Sequence, residues 1–122
     1  MDYQGLTKKE LGDLGESLAA DYLEKAGLQI IARNYRCPKG EIDIIARDGE
    51  HLVFIEVRTK TSGIMGYAEE SIDRKKMQKI RGSAAYYVME RGYLQWPSLG
   101  IDLLAIYLEK TKYTVNWIRG IV

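Results

Sequence analysis

The sequence predicts one α/β domain over residues 1–122, with a mixed central sheet covered by helices in the order α-β-β-β-α-β-β. Three observations carry that prediction. Two long stretches repeat apolar residues at helical spacing, one before and one after a set of strand-like runs. The runs at 40–46 and 53–60 are dense in branched apolar residues, as in strands that helices cover from above and below. A length of 122 residues supports one real core and is too short for two.

Each element has its own signal. The first helix follows Thr7-Lys8-Lys9-Glu10, a capping-box pattern, carries a stripe of Leu11, Leu14, Leu18, Tyr22, Leu23 and Ala26, and stops at Gly27. Residues 28–33 read as a strand and Cys37-Pro38-Lys39-Gly40 as a turn. The runs 40–46 and 53–60 form a hairpin, and 61–70, with Gly63 and Gly66, reads as a loop leaving it. The second helix begins near Ser71 or Asp73 and runs to Arg91, with Met77, Ile80, Ala84, Tyr87 and Val88 at helical spacing and Gly92 as its stop. Residues 99–108 and 113–118 close the sheet as a strand pair.

The hairpin holds the chemistry. Alternation along a strand puts Glu41, Asp43 and Ile45 on one face of the first run, and Phe54, Glu56, Arg58 and Lys60 on one face of the second. Ile42, Ile44 and Ala46, with Val53, Ile55 and Val57, are expected on the opposite, apolar face. A loop spanning 48–51 sets Asp43 directly opposite Glu56, whereas a two-residue Asp48-Gly49 turn sets Asp43 opposite Phe54 with Glu56 diagonal. In both registers two carboxylates meet among apolar neighbours, which is unfavourable unless a proton is shared or a cation intervenes. A hard divalent ion such as Mg²⁺ suits two carboxylates, because it keeps several of its waters. With Arg58 adjacent, the set has the parts to activate water and neutralise a phosphodiester transition state.

These residues resemble a known pattern. Asp43, then twelve residues later Glu56-Val57-Arg58, is similar to the signature of the PD-(D/E)XK nuclease superfamily. The resemblance is closer to the small YraN-like proteins of bacteria, themselves similar to archaeal Holliday-junction resolvases. It is carried by Leu14-Gly15-Glu16-Ser17-Leu18-Ala19-Ala20, Arg33-Asn34-Tyr35-Arg36, Gly40-Glu41-Ile42-Asp43-Ile44-Ile45-Ala46, Phe54-Ile55-Glu56-Val57-Arg58, the loop through Gly63 and Gly66, Ile72-Asp73-x-x-Lys76 and Ile101-Asp102-Leu103-Leu104-Ala105-Ile106, and so spans nearly the whole chain. It implies a restriction-endonuclease-like three-layer α/β/α sandwich and an endonuclease-like phosphodiesterase acting on structured or branched DNA. Asp43, Glu56 and the Val57 carbonyl would hold Mg²⁺ or Mn²⁺, and Glu16 would contribute directly or through water. The superfamily's usual lysine is Arg58 here, which stays protonated and cannot serve as a base, so Lys60 on the same face is the candidate to stand in. The junction resolvases pair as two-fold dimers, which makes a homodimer the corresponding expectation.

A net charge of +1 does not by itself announce nucleic acid, so the location of charge must make that case. Lys75, Lys76 and Lys79 open the second helix as a basic face, and Arg33, Arg36 and Lys39 gather about the turn before the hairpin. These six are the expected contacts to nucleic acid, with Tyr35 and Tyr67 as candidate stacking residues. Tyr86, Tyr87, Tyr107, Trp96 and Trp117 are assigned to core or subunit contact, and Asp102 to a salt bridge or sheet edge. A catalytically weak DNA-binding module and a purely structural ion network among Asp43, Glu56 and Arg58 are the competing readings.

Other chemistries are excluded by composition. The single Cys37 permits no internal disulfide, and the single His51, in a turn, rules against a histidine-based triad or zinc site. No apolar run is long enough for a membrane span and no charged-then-apolar leader is present, so a cytoplasmic setting is expected.

Overall fold

A computed structural model describes residues 3, 5–61 and 72–121. Its elements are α1 (Lys8–Lys25), β1 (Gln29–Cys37), β2 (Gly40–Asp48), β3 (His51–Thr61), α2 (Arg74–Arg91), β4 (Leu99–Glu109) and β5 (Lys112–Ile118). The five strands form one sheet in the order β1-β2-β3-β4-β5, antiparallel throughout except for the parallel pair β3–β4. That parallel step needs a crossover, and α2 lies within it. Of the predicted loop over 61–70, Thr61 instead ends β3, while residues 62–70, with Gly63, Gly66 and Tyr67, and Ser71, one of the two predicted helix starts, fall outside the described residues.

Both helices begin on side-chain caps. Thr7 Oγ1 accepts from the Glu10 amide at 3.1 Å while Glu10 Oε1 accepts from the Thr7 amide at 2.9 Å, completing the capping box read from the sequence. Asp73 caps α2, its carboxylate accepting from the Lys76 amide at 2.8 Å. The β2–β3 ladder runs through Arg47↔Leu52 to Asp48↔His51, so the turn is Gly49-Glu50. This register corresponds to the wider of the two loops considered above.

Two apolar cores lie on the two faces of the sheet. Ala19, Ala20 and Leu23 of α1 pack on Ile44, Ala46, Val53, Ile55, Leu104 and Ile106. Ile80, Ala84, Tyr87 and Val88 of α2 pack on Ile42, Ile45, Leu52, Phe54 and Ile101. Buried apolar strands of this kind supply most of the stability of an α/β domain.

One sequence expectation fails here and the failure matters. Ile42 joins the α2 core with Ile45, not the α1 core with Ile44 and Ala46. Along β1, Ala32 and Tyr35 both face α2 although they are three residues apart. Strict alternation is therefore lost on both strands at the same level, Asn34 and Asp43. Asn34 adopts a left-handed φ of 54°, a conformation asparagine tolerates better than most side chains, and this resets the face of the chain. β1 also extends to Cys37, beyond the predicted end at 33, because its pairing with β2 continues to Cys37↔Gly40.

Among the aromatic residues, Tyr87 is buried and Trp117 packs against the α1 core, as assigned from sequence. Trp96 does not enter the core: it is 61% exposed, beside Leu94 and Tyr93 in the α2–β4 connection. Tyr35 packs edge-on to Tyr87 with ring centres 5.3 Å apart and donates its hydroxyl to Glu90 at 3.2 Å. Burial, then the Glu90 carboxylate, pushes the Tyr35 hydroxyl up to about 12. No helix among the described residues is long and apolar enough to cross a membrane.

Candidate functional site

The site is built where the sheet forks. Pairing between β2 and β3 stops at Ile44↔Ile55, while β3 continues beside β4 to Thr61. Asp43 sits in the crotch of this fork, and its Oδ2 accepts from the Val57 amide at 2.8 Å, capping a strand donor that β2 no longer reaches. The Glu56 carboxyl lies beside it, only 5% exposed, close enough for a proton on Glu56 to be held by Asp43.

Two cations bracket Glu56, Arg58 from β3 itself and Lys76 from α2. Arg58 Nη2 is 3.2 Å and Lys76 Nζ 3.5 Å from the same oxygen, Glu56 Oε2. Even so, burial and then the Asp43 charge raise the Glu56 carboxyl from 4.5 to about 7, and Lys76 and Arg58 offset only part of this. The site thus holds negative charge at a net cost. A second cation or a proton would relieve it. The Arg58 Nε, in addition, is buried with no hydrogen-bond partner among the described residues, an unsatisfied donor at the edge of the same site.

Glu16 reaches the fork from the other face. The helix comes very close to β3: a Cβ at Gly15 would lie 1.8 Å from Thr59 Oγ1, so only glycine permits this approach. The next residue, Glu16, is buried and bonded to Arg33 Nε at 3.2 Å, and Arg33 also donates to Ser17 Oγ at 3.3 Å. Burial raises the Glu16 carboxyl above its ordinary value, with the Arg33 hydrogen bond opposing and the Asp43 charge adding to the rise. Among the described residues no group of three or more His, Cys, Asp or Glu side chains converges closely enough to hold a metal directly. The close carboxylate set is the pair Asp43 and Glu56, with Glu16 set back from it.

Two open cavities meet this site. One, of about 680 Å³, lies against α1 and is lined by residues that include Lys8, Lys9, Asp13, Glu16, Asp43, Val57, Arg58 and Lys60. Lys60 makes no ion pair among the described residues, so it is not drawn onto Glu56 as Lys76 is. The other, of about 350 Å³, lies on the α2 side and is lined by Arg36, Cys37, Gly40, Glu41, Lys76 and Lys79.

The basic residues regroup relative to the sequence reading. Arg33 leaves the expected turn cluster, because the face switch at Asn34 turns it to Glu16 under α1. Arg36 instead joins Lys76 and Lys79 of α2. Lys39 lays its stem against α2, where a Cβ at Gly82 would touch it at 3.4 Å, and Lys75 remains exposed on α2. Lys76 lines the basic groove with Lys79 and also points at Glu56, a role that sequence periodicity does not reveal. The available signal was the spacing Asp73-x-x-Lys76, since an N-cap aspartate fixes the first turn of a helix that starts beside the end of β3.

Asp102, assigned above to a salt bridge, is buried and closes the carboxy-terminal segment. It accepts from Trp117 Nε1 at 2.9 Å and the Gly120 amide at 2.8 Å, with Arg119 Nε at 3.4 Å. His51 is half-buried, its Nδ1 2.7 Å from Ser98 Oγ.

Comparison with known proteins matches this geometry to a group of homologues. Residues 15–115 match the uncharacterised protein family UPF0102. A UPF0102 protein of Desulfitobacterium hafniense (strain Y51) is 47% identical over 117 residues, covering 93% of this chain and 97% of that protein. A UPF0102 protein of Moorella thermoacetica is 46% identical over 107 residues, 88% of each chain. One from Caldanaerobacter subterraneus is 37% identical over 117 residues, 96% of this chain and 95% of the relative. With the fork residues Asp43 and Glu56, the helix residue Glu16 and the amine Lys76 all inside the matched span, the chain belongs to the uncharacterised protein family UPF0102.

Proposed function

We propose that this protein is a metal-dependent, endonuclease-like phosphodiesterase that binds and cleaves structured or branched DNA, on a restriction-endonuclease-like α/β/α sandwich. The observation that supports it is Asp43 in the strand fork beside a buried Glu56 that carries negative charge at a net cost. The donor chemistry fits Mg²⁺ or Mn²⁺: two hard carboxylates at the end of a splayed strand pair, with open cavity beside Asp43 for retained water. Asp43, Glu56 and the Val57 carbonyl would hold the ion. When bound, it would supply an acidic water and neutralise charge on a phosphoryl oxygen.

The chain's own residues do the rest. The Arg58 guanidinium lines the α1-side cavity and can donate to a phosphate oxygen there, though it cannot act as a base. Lys60, without an ion pair among the described residues, adds a cation to the lining of the α1-side cavity. Glu16, bonded to Arg33, would contribute to the ion directly or through water. Partial burial of the fork strengthens each of these interactions relative to bulk water.

The test is incubation with labelled linear, flapped and four-way DNA in Mg²⁺ or Mn²⁺. Cleavage that Asp43→Ala abolishes is expected, and its absence removes the enzymatic claim. A second reading, a DNA-binding module with little chemistry, is favoured by Arg58 standing at the position of the usual motif lysine. Binding that persists in chelator without any cleavage would select it.

A further inference from the structure

The α1-side and α2-side cavities differ in charge. The α1-side lining sets Lys8, Lys9, Arg58 and Lys60 against Asp13, Glu16 and Asp43, and Lys9 is already committed to Asp13 at 3.1 Å. The α2-side lining sets Arg36, Lys76 and Lys79 against Glu41 alone. Among the described residues no carboxylate lies within ion-pair reach of Lys79. The Arg36–Glu41 contact is 3.5 Å long between side chains 80% and 54% exposed, a pair that contributes little and exchanges readily for a phosphate.

The groove is also firmly built. Gly40 has a φ of 146°, which side-chain-bearing residues rarely adopt, and a Cβ there would meet Ser83 Oγ at 3.1 Å and Lys79 Cβ at 3.5 Å. The β1–β2 turn is therefore seated on α2. Ser83 Oγ in turn bonds the Lys79 carbonyl at 2.8 Å, which fixes the backbone from which Lys79 projects. Lys76 and Lys79 stand one helical turn apart and face Arg36 across the gap.

We infer that this Arg36–Lys76–Lys79 groove is the track along which a DNA backbone enters, with Lys76 shared between the track and the Glu56 carboxylate. The inference rests on the nuclease-like reading and adds the side of approach: DNA phosphates come over the α2 side and the β1–β2 turn before they reach the fork. Lys76 lines the α2-side groove and pairs with Glu56 at 3.5 Å, so a backbone held by Arg36 and Lys79 is brought up to the carboxylate at the fork.

Binding of a labelled duplex and a four-way junction, measured by anisotropy in chelating buffer across a salt series, tests it. Arg36→Gln with Lys79→Gln removes two exposed cations and leaves Glu56 paired. This double variant is expected to retain the wild-type melting temperature, to bind about tenfold or more weakly, and to lose about two from the slope of log K against log salt. Lys25→Gln with Lys112→Gln removes the same charge elsewhere and is expected to change affinity less than about twofold. Equal losses in the two double variants, or no loss in the first, would overturn the groove while leaving the nuclease-like reading in place. Absence of any DNA binding by the wild-type chain would overturn both.

Discussion

Replacing Glu56 with glutamine separates a binding carboxylate from a structural one. The side chain is 5% exposed and its carboxyl is raised from 4.5 to about 7, chiefly by burial and then by Asp43. Its folded-state affinity for a proton exceeds its unfolded one, so the stability it contributes is complete below 4.5 and is lost as pH rises through about 7. At about 1.4 kcal/mol per tenfold change, the loss near pH 8 is at most about 3 kcal/mol. Glu56→Gln mimics the protonated acid: its carbonyl can face Arg58 and Lys76 while its amide donates toward Asp43. In chelator near pH 8 the variant should therefore be more stable than wild type by about 1–3 kcal/mol, or roughly 4 °C in melting temperature per kcal/mol, and the gain should vanish near pH 4. Thermal and urea unfolding of both proteins across that pH range measures it. A variant less stable than wild type near pH 8 would refute the reasoning, because Glu56 would then be a structural partner that Arg58 and Lys76 need.

Other perturbations test how the site is held. Gly15→Ala places a methyl group 1.8 Å from Thr59 Oγ1 and should cost about 2 kcal/mol or more in urea unfolding; adding Thr59→Ala should restore part of it, whereas strictly additive effects would show that the two residues do not touch. Asp102→Ala strands the Trp117 and Gly120 donors and should cost about 3 kcal/mol, with faster amide exchange at Gly120; unchanged exchange would contradict the latch assigned to it. Asp43→Ala should abolish metal-dependent cleavage while a DNA-binding assay in chelator remains close to wild type, and equal loss of both would assign Asp43 to folding instead.

Local chemistry explains which features were legible in the sequence. The capping box at Thr7 and the apolar stripe placed α1 correctly because both act within one helix, over three or four residues. The hairpin register is legible because it is a short-range constraint, and the Arg47↔Leu52 pairing matches the wider loop; it brings Asp43 near Glu56 even though pairing ends at Ile44↔Ile55 and alternation breaks at Asp43. The switch of face at Asn34 and Asp43 was not legible, since one left-handed residue resets a strand without leaving a trace in its periodicity. That switch sent Arg33 to Glu16 and Ile42 to the α2 core, against expectation. Lys76 was read as surface because an isolated helix pattern cannot show which carboxylate a crossover helix will meet. Trp96, assigned to core or subunit contact, stays outside the core at 61% exposure, because aromatic character alone does not say which of the two surfaces a residue meets.

The account centres on the strand fork as a cation site, and the most direct measurement is a crystal soaked in Mn²⁺ and examined by anomalous diffraction. It predicts a single Mn²⁺ coordinated by oxygens of both Asp43 and Glu56, with the Lys76 amine moved off Glu56. A saturating soak that leaves the two carboxylates without a shared ion, and Glu56 still held between Arg58 and Lys76, would contradict it.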